Sequence, residues 1–268
     1  MQNYLKTLFE IIEHSVQQHP ELIPHLKQFI ERFATSQQKI RLKANFESFI
    51  NLGGIVTHEF PIYKDFEEQA GDATGHYFHQ DLLIASLIST SNPKRHIDIG
   101  SRIDGFVAHV ASFREIEVLD VRDLKDTGHQ NIKFLKANLM EENVVENNIT
   151  DSISCLHAIE HFGLGRYGDP IDPVGYLKGF KNMVRMLKTG GTIYISFPIG
   201  SKNEVHFNAH RVFHPSDIFS WLDNDNTLKI TRFDYVDDFG NLHLNSLPII
   251  NELKLNYGCG IYTFLKNS

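Results

Sequence analysis

Histidine, arginine and acidic side chains gather in two short stretches of this chain, and their types point to chemistry on a polar group. The first stretch is Glu160-His161-Phe162-Gly163-Leu164-Gly165-Arg166-Tyr167-Gly168-Asp169-Pro170-Ile171-Asp172. The second holds His206, Asn208, His210, Arg211 and His214, three histidines and an arginine within nine positions. Arginine grips phosphate oxygens bidentately, and a neutral imidazole accepts a hydroxyl proton. An anionic or polyhydroxylated ligand suits that set. The blander readings are a hydrogen-bonded pair at Glu160 and His161 that fixes a loop, and a solvated second stretch in a chain that has 15 histidines. Between the two, the glycine-punctuated loop around Arg166 and Tyr167 has the length and polar content of a recognition loop.

The elements that must position these groups are read from hydrophobic periodicity. Tyr4, Leu5, Leu8, Ile11 and Ile12, then Leu22, Ile23, Leu26, Phe29, Ile30 and Phe33, recur at helical spacing, with Pro20 and Pro24 as punctuation. This predicts a helical extension over residues 1–70, followed by a second domain over 71–268. In the latter, β-rich runs are expected at 97–100, 116–120, 132–136, 152–157, 191–197, 228–234 and 260–265. Strands alternating with helical patterns imply a mostly parallel seven-stranded sheet covered on both faces, an α/β Rossmann-like architecture.

The run from His96 to Phe106, with Asp98, Gly100, Ser101, Arg102 and Gly105, leads a buried strand through a glycine turn into a helix. Such a turn lies at the carboxyl end of the first parallel strand, where glycine lets backbone approach a ligand. About 20 residues on, Asp120 ends the second strand, the position from which a carboxylate takes the hydroxyls of an adenosine ribose. A dinucleotide loop has three glycines, the middle one so that backbone amides touch a pyrophosphate. Here Arg102 stands between Gly100 and Gly105, so an adenosine cofactor without a diphosphate fits better.

The order of the segments resembles the class I S-adenosylmethionine-dependent methyltransferases. The turn at Gly100 looks like their first motif. Lys136-Ala137-Asn138-Leu139 follows the third strand, His157-Ala158-Ile159-Glu160-His161-Phe162 ends the fourth, and Leu187-Lys188-Thr189-Gly190-Gly191 joins a helix over 176–187 to the fifth. The resemblance implies S-adenosyl-L-methionine as cofactor, with Asp98, Gly100, Ser101 and Asp120 around its amino-acid and ribose portions. It gives Asn138 and Leu139 to the adenine, and Tyr77, His79 and Gln80 to a lid closing over the methionine end. His157 would lie beneath the methionine, and Glu160 and His161 would face the acceptor.

A narrower similarity covers residues 72–267. Gly75-His76-Tyr77-Phe78-His79-Gln80-Asp81, the segment from Glu160 to Asp172, and Phe207-Asn208-Ala209-His210-Arg211-Val212-Phe213 resemble a methyltransferase-like family from bacterial surface-glycan gene clusters. It implies a small-molecule acceptor: a sugar, a nucleotide-linked sugar or a phosphate-bearing precursor of capsule or lipopolysaccharide. O-methylation would then need a general base. His161 and His210 lead, His157 and His206 stand behind them, and Arg211 or Arg166 serves if the acceptor oxygen is already anionic. Some sugar methyltransferases use magnesium, for which Asp169 and Asp172 are the available carboxylates; bonding backbone amides in turns is their simpler use, and no metal is assigned. Two other functions remain open: a nicotinamide-dependent sugar oxidoreductase and a catalytically silent cofactor-binding module.

Composition narrows the field further. The net charge is -7, from 26 Lys and Arg against 33 Asp and Glu, which disfavours a duplex nucleic-acid binder. The apolar run Leu82 to Ile88 is too short to span a bilayer, and the amino terminus lacks signal-peptide order, so a cytoplasmic protein is expected. Cys155 and Cys259 supply neither a disulfide framework nor a zinc-ligand spacing, and both read as reduced thiols. The helical extension is left for shaping the acceptor pocket or for a homodimer contact.

Overall fold

A computed structural model of the chain describes residues 34–142, 144–222 and 227–267. The chain divides into two compact units, residues 1–72 and 73–268. The apolar positions from Tyr4 to Phe33 lie outside the described residues. In the described part of the first unit, α1 (Ser36–Asn51) opens on a capping box, in which Thr35 and Gln38 satisfy each other's backbone amides. Gln38 also donates to Glu67 at 3.1 Å, and the Arg41 guanidinium lies 3.8 Å over the Phe66 ring. These contacts tie the segment around residue 66 back to the helix.

The second unit begins with α2 (His76–Ser91) and β1 (His96–Ile99). A five-residue π turn, Ile103–Val107, then enters the short α3 (Ala108–Ala111). After it come β2 (Ile116–Asp120), β3 (Ile132–Lys136), β4 (Thr150–Leu156), α4 (Gly175–Met186) and β5 (Leu187–Ile199). A hairpin of β6 (Glu204–His206) and β7 (His210–Val212) stands apart from the main sheet. The chain ends with β8 (Leu228–Val236), β9 (Leu242–His243) and β10 (Gly258–Lys266).

The main sheet has the order β3-β2-β1-β4-β5-β10-β8-β9. β1 pairs in parallel with β2 and β4, β2 with β3 and β4 with β5, whereas β10 is antiparallel to both β5 and β8. The expected Rossmann-like, mostly parallel sheet is thus present. It carries an eighth edge strand, β9, whose two residues are too few to leave a periodic signal. The expected fifth strand also begins earlier, because the Gly190-Gly191 turn is a bulge inside β5: Thr150 faces Leu187 while Ser152 faces Thr192, and Gly190 takes φ 76°.

Strand alternation divides the core between two faces. Ile97, Ile99, Ile153, Ile193 and Ile195 pack with Phe180 and Met183 of α4, and Ile116, Val118, Tyr194 and Ile261 pack with Ile84 and Ile88 of α2. Coverage on both sides buries every residue of β1, polar ones included. His96 meets this demand by hydrogen-bonding Ser152 Oγ at 2.8 Å and Ser154 Oγ at 3.1 Å. Ser154 and Ser101 each donate a hydroxyl to Asp98 Oδ1 at 2.6 Å, and the Ser101 amide donates to Asp98 Oδ2 at 3.0 Å. This network stands under the Gly100 turn and fixes its path.

Candidate active site

At the carboxyl ends of β1, β2 and β4 a cavity of about 600 Å³ opens, in the crevice where open α/β sheets bind ligands. Its wall includes Gly100, Asp120, Asn138 and Leu139 on one side and His157, Glu160, His161 and His210 on the other. Gly100 takes φ 69°, and a Cβ there would meet Ala158 Cβ at 3.1 Å. Backbone at this turn therefore faces the cavity with no side chain in between.

Asp120 is engaged from within the chain. Arg122 binds it through Nε to Oδ1 at 2.9 Å and Nη2 to Oδ2 at 2.6 Å, and the Arg122 amide adds a third bond to Oδ1 at 2.8 Å. The same guanidinium lies 4.3 Å over the Tyr167 ring, and Arg166 lies 5.1 Å from that ring. Asn138 is similarly occupied, accepting from the Met140 amide and donating to Glu141.

On the opposite wall, Glu160 is 1% exposed and lies between two imidazoles. Its Oε1 is 3.0 Å from His157 Nδ1 and 3.6 Å from His161 Nε2, while its Oε2 has no hydrogen-bond partner among the described residues. His161 Nδ1 donates to the Ala209 carbonyl at 2.7 Å. A carbonyl only accepts, so this bond fixes the tautomer and leaves the Nε2 lone pair free. Burial holds His161 below the ordinary imidazole range, and burial together with the adjacent His206 does the same for His210. Both are neutral and basic at pH 7. His76, half-buried at the start of α2, is lowered to about 4 by burial and by neighbouring His157.

Several expected site residues lie elsewhere. Gln80 is buried beneath the cavity, where its Oε1 accepts from Ser196 Oγ at 2.6 Å, and His79 is not on the cavity wall. Of the three lid residues only Tyr77 lines the cavity. Asp98 and Ser101 are turned into the network below Gly100. His206 is paired with Glu204 at 2.7 Å on the hairpin, away from the wall.

Arg211 is also off the wall, only 4% exposed, and its guanidinium donates to the carbonyls of Glu160, Phe162 and Pro173. It clamps the loop that carries Glu160 and His161, so it is a positioning residue. Asp169 accepts from the amides of Gly163, Gly165 and Tyr167 and pins the expected flexible loop, and Asp172 pairs with Lys178 at 2.7 Å. Those carboxylates serve turns, and Asp172 a surface ion pair as well.

The wall also includes polar residues that sequence reasoning did not assign to the site, among them His76, Arg122 and Tyr257. Arg122 follows the strand-end acid by two positions, a signal visible only once Asp120 is known to face a cavity.

Residues 113–247 match the family described as Caenorhabditis protein of unknown function, DUF268. The chain belongs to this family. The matched span contains Asp120, the His157–Asp169 segment and His210, and excludes His76, Gly100, Tyr257 and Cys259. No curated protein matches the chain. Among solved structures, the cyclase SpnF is 12% identical with a TM-score of 0.52, covering 87% of this chain and 98% of its own. The 1,6-didemethyltoxoflavin-N1-methyltransferase of Burkholderia thailandensis, solved with S-adenosylhomocysteine, is 12% identical with a TM-score of 0.51 and coverage of 88% and 92%. The N-methyltransferase NodS of Bradyrhizobium japonicum, also solved with S-adenosylhomocysteine, is 13% identical with a TM-score of 0.50 and coverage of 79% and 94%. At these identities the likeness is one of fold, and it places the DUF268 chain among Rossmann-like sheets of the methyltransferase type.

Proposed function

We propose that this protein is an S-adenosyl-L-methionine-dependent O-methyltransferase acting on a sugar, a nucleotide-linked sugar or a phosphate-bearing precursor in surface-glycan biosynthesis. The observation that carries the reading is one cavity bounded by two kinds of wall. Bare backbone at Gly100 and a strand-end carboxylate at Asp120 stand on one side, and a cluster of imidazoles around Glu160, with His161 and His210 neutral, stands on the other. The methyltransferase neighbours on the same fold support it, as does the resemblance of the Glu160–Asp172 and Phe207–Phe213 segments to the glycan-cluster family.

The residues fit the cofactor's outline. Gly100 leaves the space that a Cβ would take, Asp120 is placed for ribose hydroxyls, and Ala137, Asn138 and Leu139 line the region expected for adenine. When bound, S-adenosylmethionine would supply an electrophilic methyl group. The chain's own part is to hold the acceptor in line and to remove its proton. His161 is the best base, because Nδ1 is committed to the Ala209 carbonyl and Nε2 is a free lone pair on the cavity wall. Once protonated, Nε2 has the Glu160 carboxylate 3.6 Å away to stabilise the imidazolium. Arg166, held to the same Ala209 carbonyl at 2.8 Å, sets a cationic donor beside that base for an anionic part of the acceptor.

Incubation with S-adenosylmethionine and a panel of nucleotide sugars and sugar phosphates, read by mass spectrometry, tests the reading. A single methyl gain on one acceptor class is expected, with S-adenosylhomocysteine binding by calorimetry. Binding of NAD in preference to S-adenosylhomocysteine, or cofactor binding with no transfer to any oxygen acceptor, would overturn it.

A further inference from the structure

Beside the proposed base, three soft or borderline donor groups converge from distant parts of the chain. His76 comes from the start of α2, His157 from the residue after β4 and Cys259 from the start of β10. One donor atom of each lies within 4.8 Å of the other two. Cys259 is fully buried and the His157 side chain is 6% exposed. His157 also takes a positive φ of 48°, so backbone in a sparsely used region aims this ring at the cluster.

The His157 ring has one nitrogen satisfied and one not. Nδ1 is 3.0 Å from Glu160 Oε1, whereas Nε2 is buried with no nitrogen or oxygen partner among the described residues and has the Cys259 sulfur beside it. A buried polar atom left unpaired is costly and calls for an explanation. The Glu160 contact settles the tautomer as Nδ1–H, because a carboxylate accepts. Nε2 then faces the Cys259 sulfur and the His76 ring, where a cation would take the place of its proton. A carboxylate behind a histidine whose other nitrogen points at a shared centre is the outer-shell arrangement of metal-ligating histidines. His76 is oriented in a comparable way, by a hydrogen bond with the Tyr257 backbone.

We propose that His76, His157 and Cys259 form a three-ligand site for a borderline-soft divalent cation, Zn²⁺ being the one that two imidazoles and a thiolate favour. Thiolate and imidazole donors select such a cation over magnesium or calcium, which take oxygen ligands. Zinc bonds sulfur at about 2.3 Å and imidazole nitrogen at about 2.0–2.1 Å, which puts tetrahedral donors roughly 3.3–3.6 Å apart. Donor atoms up to 4.8 Å apart therefore have to close by about 1.2–1.5 Å, and the half-buried His76 ring, stacked on His157 with centroids 5.3 Å apart, is the one that would turn, about its hydrogen bond with the Tyr257 backbone. His76 and His157 line the cavity and Cys259 lies behind them. Three protein ligands leave the fourth position open toward the cavity, as in zinc sites that bind water or a substrate atom. The site does not depend on the methyltransferase reading, since the three donors are brought together by the sheet and the helix packed on it.

Titration of the chelator-treated full-length chain with Co²⁺ and then Zn²⁺, without any cofactor, tests the site separately from methyl transfer. The expected result is one Co²⁺ per chain with a thiolate-to-cobalt charge-transfer band in the near ultraviolet, displaced by Zn²⁺. Cys259→Ala should abolish the band, and His76→Gln should weaken zinc binding by roughly tenfold or more, the scale of effects seen when a metal site is disturbed. His76 is outside the core, so His76→Gln stays informative if Cys259→Ala fails to fold. Absence of the band in the folded wild-type chain would overturn the site. A band that survives Cys259→Ala, or zinc affinity unchanged in His76→Gln, would overturn the three-ligand assignment.

Discussion

Arg122 closes on both carboxylate oxygens of Asp120, the acid at the end of β2 that faces the cavity. A ribose that hydrogen-bonds Asp120 must share or displace that guanidinium. Arg122 is 48% exposed but Asp120 only 11%, and a bidentate arginine–carboxylate pair is held more firmly than an ordinary surface pair, so the guanidinium competes with the ligand for Asp120. Asp120→Ala should weaken S-adenosylhomocysteine binding by about 1.5–3 kcal/mol, the range for hydrogen bonds to a charged group. Arg122→Met should leave affinity unchanged or tighten it by up to about fivefold. Calorimetry on both variants checks the pair, and a large loss in Arg122→Met would mean that arginine itself touches the ligand.

Gly100→Val places a side chain where backbone faces the cavity, with Ala158 Cβ as its first neighbour at 3.1 Å and a backbone φ that L residues disfavour. Binding of S-adenosylhomocysteine should disappear, with a stability loss of about 1–2 kcal/mol for the left-handed conformation. Circular dichroism and calorimetry together read both effects. A folded variant that binds normally would remove Gly100 from the site.

General-base help acts in the transition state, so His161→Ala and His210→Ala should each lower turnover at least about tenfold while cofactor affinity is kept. The lowered proton affinity of both rings means that the base is already neutral at pH 7. The wild-type rate should be flat above neutrality and fall as the base protonates, with a midpoint below the ordinary imidazole value of about 6.5. A flat profile through the acid range, with the large loss only in Arg166→Ala, would instead indicate an acceptor oxygen that is already anionic.

Arg211→Met tests the corrected role of that residue. Its guanidinium bridges carbonyls of Glu160, Phe162 and Pro173, and removing it leaves buried acceptors unpaired. Stability measured by urea unfolding should fall by about 2–4 kcal/mol. Loss of turnover without any loss of stability would return Arg211 to a direct catalytic role.

His96 makes the fold sensitive to acid. Burial lowers its pKa to about 3 from an unfolded value near 6.5. Between those two values the unfolded chain binds the extra proton, so stability is present above about pH 6.5 and is lost as pH falls toward 3. The drop from pH 6.5 to 5 is about 2 kcal/mol from this group. Urea midpoints at pH 7 and pH 5 should differ accordingly, and His96→Gln should shrink the difference. An unchanged difference would locate the acid sensitivity elsewhere.

The periodic apolar runs were sufficient for the frame, because a parallel strand buried on both faces must be apolar nearly throughout. Each of the seven expected runs corresponds to a strand, and β2 and β3 agree to the residue. Gly100 and Asp120 were legible for a related reason: a tight turn and a strand-end acid are local signatures at fixed spacing. The polar residues could not be sorted that way. Arg166 and Arg211 look alike in sequence, but one has its guanidinium on the cavity wall and the other spends it on three loop carbonyls. Asp98 and Ser101 flank the glycine turn, and strand alternation turns them beneath it. His76, His157 and Cys259 are separated by 81 and 102 residues in the chain, and no local spacing connects them. Only the tertiary structure, which sets the start of β10 across β5 from the end of β4 and packs α2 against that face of the sheet, brings their donor atoms together.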